Sequence, residues 1–298
     1  MREATKGIVA MVAACTVWGV SSIYFKLIAH IPPIEILAHR TLWSCAFFAL
    51  VLLVQGRISL LGRALAGRRS LLAIGFAALM ISINWFVFIT SIQIGRAMEA
   101  SLGYYIFPLV AVLLGAIAFR ERLGRAQIFA VALALCAVVT LTVGRGVPPW
   151  IALILASSFG LYGLVKKGLS VGPVVSVTAE VLLLSPIALT VLWYLHSGGQ
   201  GAFGANWRDS ALLAFSGILS GTPLIMFSYA TKRIALATVG LVQYLNPSLQ
   251  FLVATFLFLE DFSMWHALAF GMIWTALAIY TTASLRQDRA ARRAVPKA

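Results

Sequence analysis

The stretch SLGYYIFPLVAVLLGAIAFRER at residues 101–122 returns as GLVQYLNPSLQFLVATFLFLED at residues 240–261. One constant offset, 139, places Leu102 on Leu241, Tyr105 on Tyr244, Pro108 on Pro247 and Glu121 on Glu260. An offset of 141 places Gly19 on Gly160 and Lys26 on Lys167. The chain therefore reads as two related halves, 1–145 and 146–285, with a basic tail at 286–298. Each repeated stretch is a nearly unbroken apolar run, so what is duplicated is a set of membrane spans.

The whole composition agrees. Of 298 residues, 61% are hydrophobic and 11% charged, and mean hydropathy is +0.96. A soluble domain is nearer half apolar and a quarter charged. The composition disfavours a soluble enzyme, a disordered chain and a secreted disulfide scaffold. The three cysteines, Cys15, Cys45 and Cys136, lie in apolar runs with no metal-ligand spacing, so packing is their expected role.

A helix needs about 20 apolar residues to cross the hydrocarbon core. Ten segments qualify: 7–28, 34–54, 71–93, 99–118, 126–143, 149–166, 173–196, 210–230, 237–258 and 264–285. The first has no cleavage site and is too long for a signal-peptide core, so it reads as a retained span. Loops are short, the longest being 55–70 and 197–209. The expected fold is an all-α integral membrane protein of ten transmembrane helices. A barrel would show short alternating strands instead.

Charge sets the expected orientation. With a cytoplasmic N-terminus, 18 of the 23 Lys and Arg fall on the inner side, among them Arg2, Lys6, Arg57, Arg120, Lys166 and Arg293. Only Arg96, Arg145 and Arg208 fall outside; Lys26 and Arg40 lie in span ends. This is the positive-inside pattern, with both termini cytoplasmic. It accounts for the net charge of +14 without nucleic acid as a partner. The tail at 286–298 then lies beside anionic lipid.

Five spans per half is an odd number, so the second half must cross upside down. Inverted repeats recur in secondary transporters, whose solute site lies near the midplane between the halves. Exchanging the conformations of two such halves turns an outward-open state into an inward-open one. The sequence therefore points to a carrier for a small solute in the lipid bilayer. A lipid flippase or scramblase shares this architecture. An intramembrane enzyme is disfavoured by the lack of HExxH, of deep Asp and of a plausible Ser–His pair, and no cofactor or metal site is expected.

Ionisable residues inside a span cost about 2.5–3.5 kcal/mol on insertion scales and usually face a cavity. Arg40 and Glu180 occupy equivalent positions at an offset of 140. At 1.5 Å per residue each lies about 10 Å from its own boundary, at opposite mouths. Two clusters are expected: Arg40 with Glu99 and Lys26 outside, Glu180 with Lys166 or Lys167 inside. Glu180, Glu99 and His39 are the candidates for proton coupling, with protons as the ion. Gln243, Asn246, Pro247 and Gln250 form a polar stripe at helical spacing. Its counterpart is Tyr104, Phe107, Pro108 and Ala111. Pro108 and Pro247 each remove a backbone hydrogen bond, so kinks are expected there. Trp18, Asn84, Trp85 and Tyr105 complete the candidate pathway.

Several motifs resemble the ten-helix EamA-type group of the drug/metabolite transporter superfamily, and within it the RarD permeases. They are WGVSSIYFKLI at 18–28, PPIEILAHRTLWS at 32–44, NWFVF at 84–88, MEASLGYYIFPLV at 98–110, FGLYGLVKK at 159–167 and GLVQYLNPSL at 240–249. The resemblance spans nearly the whole chain. It implies a permease for a small organic metabolite or drug in the bacterial inner membrane. One departure is Phe107, where members of the group often carry a small or amide residue before the proline. The second half keeps Asn246 at that place. One side of the pathway is thus expected to be more apolar.

Overall fold

The computed structural model of the protein describes residues 3–119, 123–234 and 236–294. These form twelve α-helices and one π-helical segment, with no strand among the described residues. Among the described residues, nine helices are long and apolar enough to cross a membrane. They are α1 (Glu3–Leu27), α2 (Pro33–Val54), α4 (Arg68–Gln93), α5 (Ala97–Phe119), α6 (Arg125–Arg145), α7 (Trp150–Gly168), α8 (Pro173–Ser197), α9 (Trp207–Thr231) and α12 (Met264–Ala294). The ninth of the ten expected spans is present in pieces: α10 (Leu236–Gln243), α11 (Leu245–Leu252) and the π-helical segment Val253–Leu257.

Two details depart from the expected outline. The 55–70 link contains a short helix, α3 (Ser59–Ala66), whose Ala64 is buried beside Val175 and Ala179 of α8. The last helix runs to Ala294, so most of the basic tail continues α12 rather than leaving it.

Local chemistry starts and stops these helices. Pro33 and Pro173 stand at first helical positions, where a missing N–H costs nothing. Asn206 caps α9 by accepting the Asp209 N–H. Gly95 and Gly146 adopt φ of +71°, which lets α4 turn into α5 and α6 into α7 over a few residues.

The packing has a period of five spans. α1 packs on α9 and on the α10–α11 span, and α7 packs on α4 and α5. Moving five spans along converts the first set of contacts into the second. The pairs α2–α8, α5–α11 and α6–α12 each map onto themselves. The correspondence reaches single residues. Gly19 of α1 lies against Leu249, and Gly160 of α7 lies against Val110. These are the residues that the two sequence offsets make equivalent. On α6, Ala130, Ala134, Ala137 and Leu141 form one buried face at helical spacing, in the same core as Ala269, Ile273 and Ala276 of α12. Large apolar side chains such as Leu50, Ile117, Leu135 and Val143 stay exposed on the perimeter, as lipid requires.

A Cβ on Gly19 would stand 2.6 Å from the Leu249 Cβ, whereas on Gly160 the nearest atom, at 3.0 Å, is a flexible Leu114 methyl. Gly19→Ala is therefore expected to destabilise the bundle by about 1–3 kcal/mol and Gly160→Ala by less. Unfolding in detergent micelles measures both; equal effects would contradict the tighter α1–α11 approach.

Candidate functional site

Arg40 sits on α2, seven residues in from Pro33, and is 7% exposed. Its guanidinium lies over the Trp85 ring at 4.1 Å and over Phe25 at 5.6 Å. Among the described residues no carboxylate comes within 4.0 Å of it, and its buried Nε has no hydrogen-bond partner. The expected pair with Glu99 does not form. Glu99 instead accepts the Ile151 N–H at the start of α7 and lies 3.6 Å from Arg96. A helix start has free N–H donors that need acceptors, and that demand claims the carboxylate. Lys26 is exposed, with its ammonium 5.5 Å from the Phe258 ring.

The energetics of Arg40 are unbalanced. Removing an ion from water costs several kcal/mol. A cation over an aromatic face regains roughly 0.5–2 kcal/mol. Guanidinium cannot shed its proton to escape the cost. The buried hydroxyl of Ser44, one turn further along α2, also lacks a partner. This region holds hydrogen-bonding capacity that the protein itself does not use.

Glu180 is the contrasting case. It occupies the eighth position of α8, as Arg40 does in α2, and is 1% exposed. Its Oε1 accepts from Lys166 Nζ at 2.6 Å and from Ser176 at 2.9 Å, and its Oε2 accepts from Tyr162 at 3.2 Å. Lys166 also donates to Ser176 and lies over the Tyr162 ring. The cluster expected at this mouth is therefore formed, through Lys166.

Between the two charged positions runs a file of rings. Phe25 meets Phe88 edge-on at 5.9 Å, Phe88 meets Tyr104 at 5.8 Å, and Tyr104 meets Phe159 at 6.1 Å. Phe159 stacks with Tyr162 at 5.8 Å, and Tyr162 bonds to Glu180. Phe107 packs on Phe159 at 4.7 Å and thickens the file at its middle. Trp85, Tyr104, Phe107, Phe159 and Tyr162 are half-buried rather than sealed. Asn84 ties the file together. It donates to Leu155 O and Ser158 Oγ of α7 and accepts from the Tyr104 hydroxyl at 2.9 Å.

Other sequence candidates fall elsewhere. Trp18 is half-buried against Phe227 of α9. Tyr105 is buried among Phe270 and Trp274 and bonds Ser248. His39 stacks on Phe203 and lies 3.9 Å from Glu35, whose carboxylate accepts the Ala202 N–H. His39 thus holds the 198–206 loop rather than the ring file.

The two prolines behave differently. α5 continues through Pro108, whereas the ninth span divides at Tyr244, three residues before Pro247. Pro247 and Gln250 are buried, Gln243 and Asn246 half-buried, and Gln250 donates to Asn246. Pro247 O accepts from Ser101 of α5, so the stripe faces helices rather than lipid. Glu260 accepts the Ala97 and Met98 N–H groups at the start of α5. Leu259 takes a φ of +53°, an unusual state for leucine, in the turn just before it. Its repeat partner Glu121 lies outside the described residues.

Phe25, Phe88, Phe159 and Tyr162 were not among the sequence candidates. A signal was present: Phe159, Tyr162 and Lys166 recur at i, i+3 and i+7 on one face of α7.

The fold is that of a multi-pass helical membrane protein with a charged and aromatic seam. Residues 5–143 match the EamA-like transporter family. The chain is 39% identical to an uncharacterised transporter, YojE, of Bacillus subtilis, over 97% of this chain and 98% of that one. It is 35% identical to the protein RarD of Escherichia coli over 97% and 98%. It is 27% identical to a chloramphenicol-sensitive protein RarD of Pseudomonas aeruginosa over 98% and 99%. The chain belongs to the EamA-like transporter family, on its RarD-like branch. A solved structure described only as the crystal structure of a protein shares the fold: TM-score 0.62, 19% identity, covering 96% of this chain and 99% of the other.

Lys166→Met would leave Glu180 buried without its cation and is expected to cost about 3–5 kcal/mol. Adding Glu180→Gln should restore most of that loss. A double-mutant cycle on detergent unfolding measures the coupling, and simple additivity would show that the pair is not energetically joined.

Proposed function

We propose that this protein is a secondary transporter that moves a small organic solute by alternating access between two inverted halves, 1–145 and 146–285. The observation that carries the reading is the ring file itself. It is bounded by charged residues at equivalent places in the two halves, and it crosses from one half to the other between Tyr104 and Phe159. The five-span period of the packing supports an internal repeat, and the odd number of spans makes it an inverted one. The charge bias of the loops supports a cytoplasmic N-terminal face, and with it a multi-pass protein of the bacterial inner membrane with both termini inside.

In this reading the Lys166–Glu180 pair closes the cytoplasmic end of the file. A solute reaching that end meets this contact between α7 and α8, and the pair is the polar link that gives way. Protonating Glu180 weakens the pair, which couples opening to a proton. Glu99 and His39 bind loop and helix-start groups away from the file, so Glu180 is the coupling residue of the three. Rocking also has to carry α4 and α7 together or break the bonds that Asn84 makes between them.

Reconstitution of the purified protein in vesicles, with counterflow of small amphipathic metabolites and drugs, tests the reading. Saturable exchange is expected. Lipid redistribution without solute exchange would identify a flippase instead. Glu180→Gln should lower exchange at least ten-fold, or remove its dependence on internal pH, at near-normal protein level. Parallel loss of protein and exchange would make Glu180 a packing residue only.

A further inference from the structure

The transport reading leaves the solute open, and Arg40 narrows it. This guanidinium is buried in the bundle, faces two rings, and has no acid beside it among the described residues. Its repeat counterpart Glu180 shows what a satisfied charge looks like in the same bundle, with three donors converging on one carboxylate. A guanidinium offers a planar fork of N–H donors that matches a carboxylate in bidentate fashion. Trp85 and Phe25 flank it, and Phe88 and Tyr104 continue the apolar surface away from it.

We propose that Arg40 is the counter-ion of the transported solute, and that the solute is an organic anion in which a carboxylate is joined to a flat apolar body. The carboxylate sits on the guanidinium and the body lies along the rings. The unpartnered hydroxyl of Ser44, one turn along α2 from Arg40, is the candidate for a second polar group on the solute. The inference rests on the carrier reading for its word "transported"; the binding site stands without it.

Matched probes separate charge from shape. Phenylacetate and naphthylacetate, each beside its neutral amide, are titrated into the purified full-length protein in micelles, with the unfolding midpoint and calorimetric binding as readouts. Each acid is expected to bind at least ten-fold more tightly than its amide. Arg40→Gln should abolish that preference, and its empty form should unfold at the same or a higher temperature, because an unpaired charge has been removed. Arg40→Lys should keep a reduced preference for the acid. Acid and amide acting alike on the unaltered protein, including neither acting, would overturn the proposal. So would an acid preference that survives in Arg40→Gln, or a marked loss of stability in its empty form. Charge-selective binding without exchange in vesicles would keep the Arg40 site and discard the carrier. Exchange of neutral solutes that Arg40→Gln leaves unaltered would do the reverse.

Discussion

A charge inside a helical bundle bathed in hydrocarbon has no water to return to, and the organisation of this protein follows from how each such charge is accommodated. At the mouths the answer is backbone. Glu35, Glu99 and Glu260 each accept N–H groups from a loop or from the start of a neighbouring helix. These donors exist because every helix leaves its first N–H groups unpaired. Deeper in, Glu180 recruits Lys166, Ser176 and Tyr162. Among the described residues, Arg40 is the deep charge met by rings and by no carboxylate.

Small residues and shared hydrogen bonds position these groups. Lipid tails give helices no hydrophobic reason to associate, so close contact and polar bonds must do it. Gly19 and Gly103 admit the backbones of α11 and α7. Asn84 and Ser101 bond across helix boundaries to Leu155 and Pro247 carbonyls. The contacts of α1 with the ninth span repeat those of α7 with α5, and the ring file runs where α1, α4, α5 and α7 meet. Its middle is not symmetric, because Phe107 adds an aromatic where the other half has Asn246.

Much of this was readable before any coordinates. Span positions follow from apolar run length, which depends on bilayer thickness and not on neighbours. The Glu180–Lys166 pair was readable because a short turn at 169–172 keeps the end of α7 and the start of α8 near one another, and a lysine side chain is long enough to reach the carboxylate. Arg40 and Glu99 lie on helices distant in sequence. Their pairing depends on helix rotation and on the competing claim of the α7 start, and neither leaves a local trace. Pro247 marked the broken span within three residues. Its partner Pro108 did not break α5, since a proline removes one hydrogen bond and the neighbours decide whether the helix yields. The file of rings was half visible, as a helical period on α7, but its continuation through Phe88 and Phe25 is a property of the assembled bundle.

The opposite signs of Arg40 and Glu180 have a consequence for a carrier of anions. Under the proposed carrier reading, with its halves inverted, these equivalent positions are the first deep groups a solute meets from either side. At one end it meets a bare cation. At the other it meets a cation already neutralised by a carboxylate 2.6 Å away. An anion arriving there has to displace Glu180 from Lys166, and at an effective dielectric of about 20 two unit charges 4 Å apart still interact by roughly 4 kcal/mol. On the coupling proposed above, a proton on Glu180 would remove that competitor and leave Lys166 as a second counter-ion, which would make the two ends electrostatically alike. The proton and the anion would then be exchanged at the same end of the file, which ties the coupling site and the solute site to one pair of homologous positions.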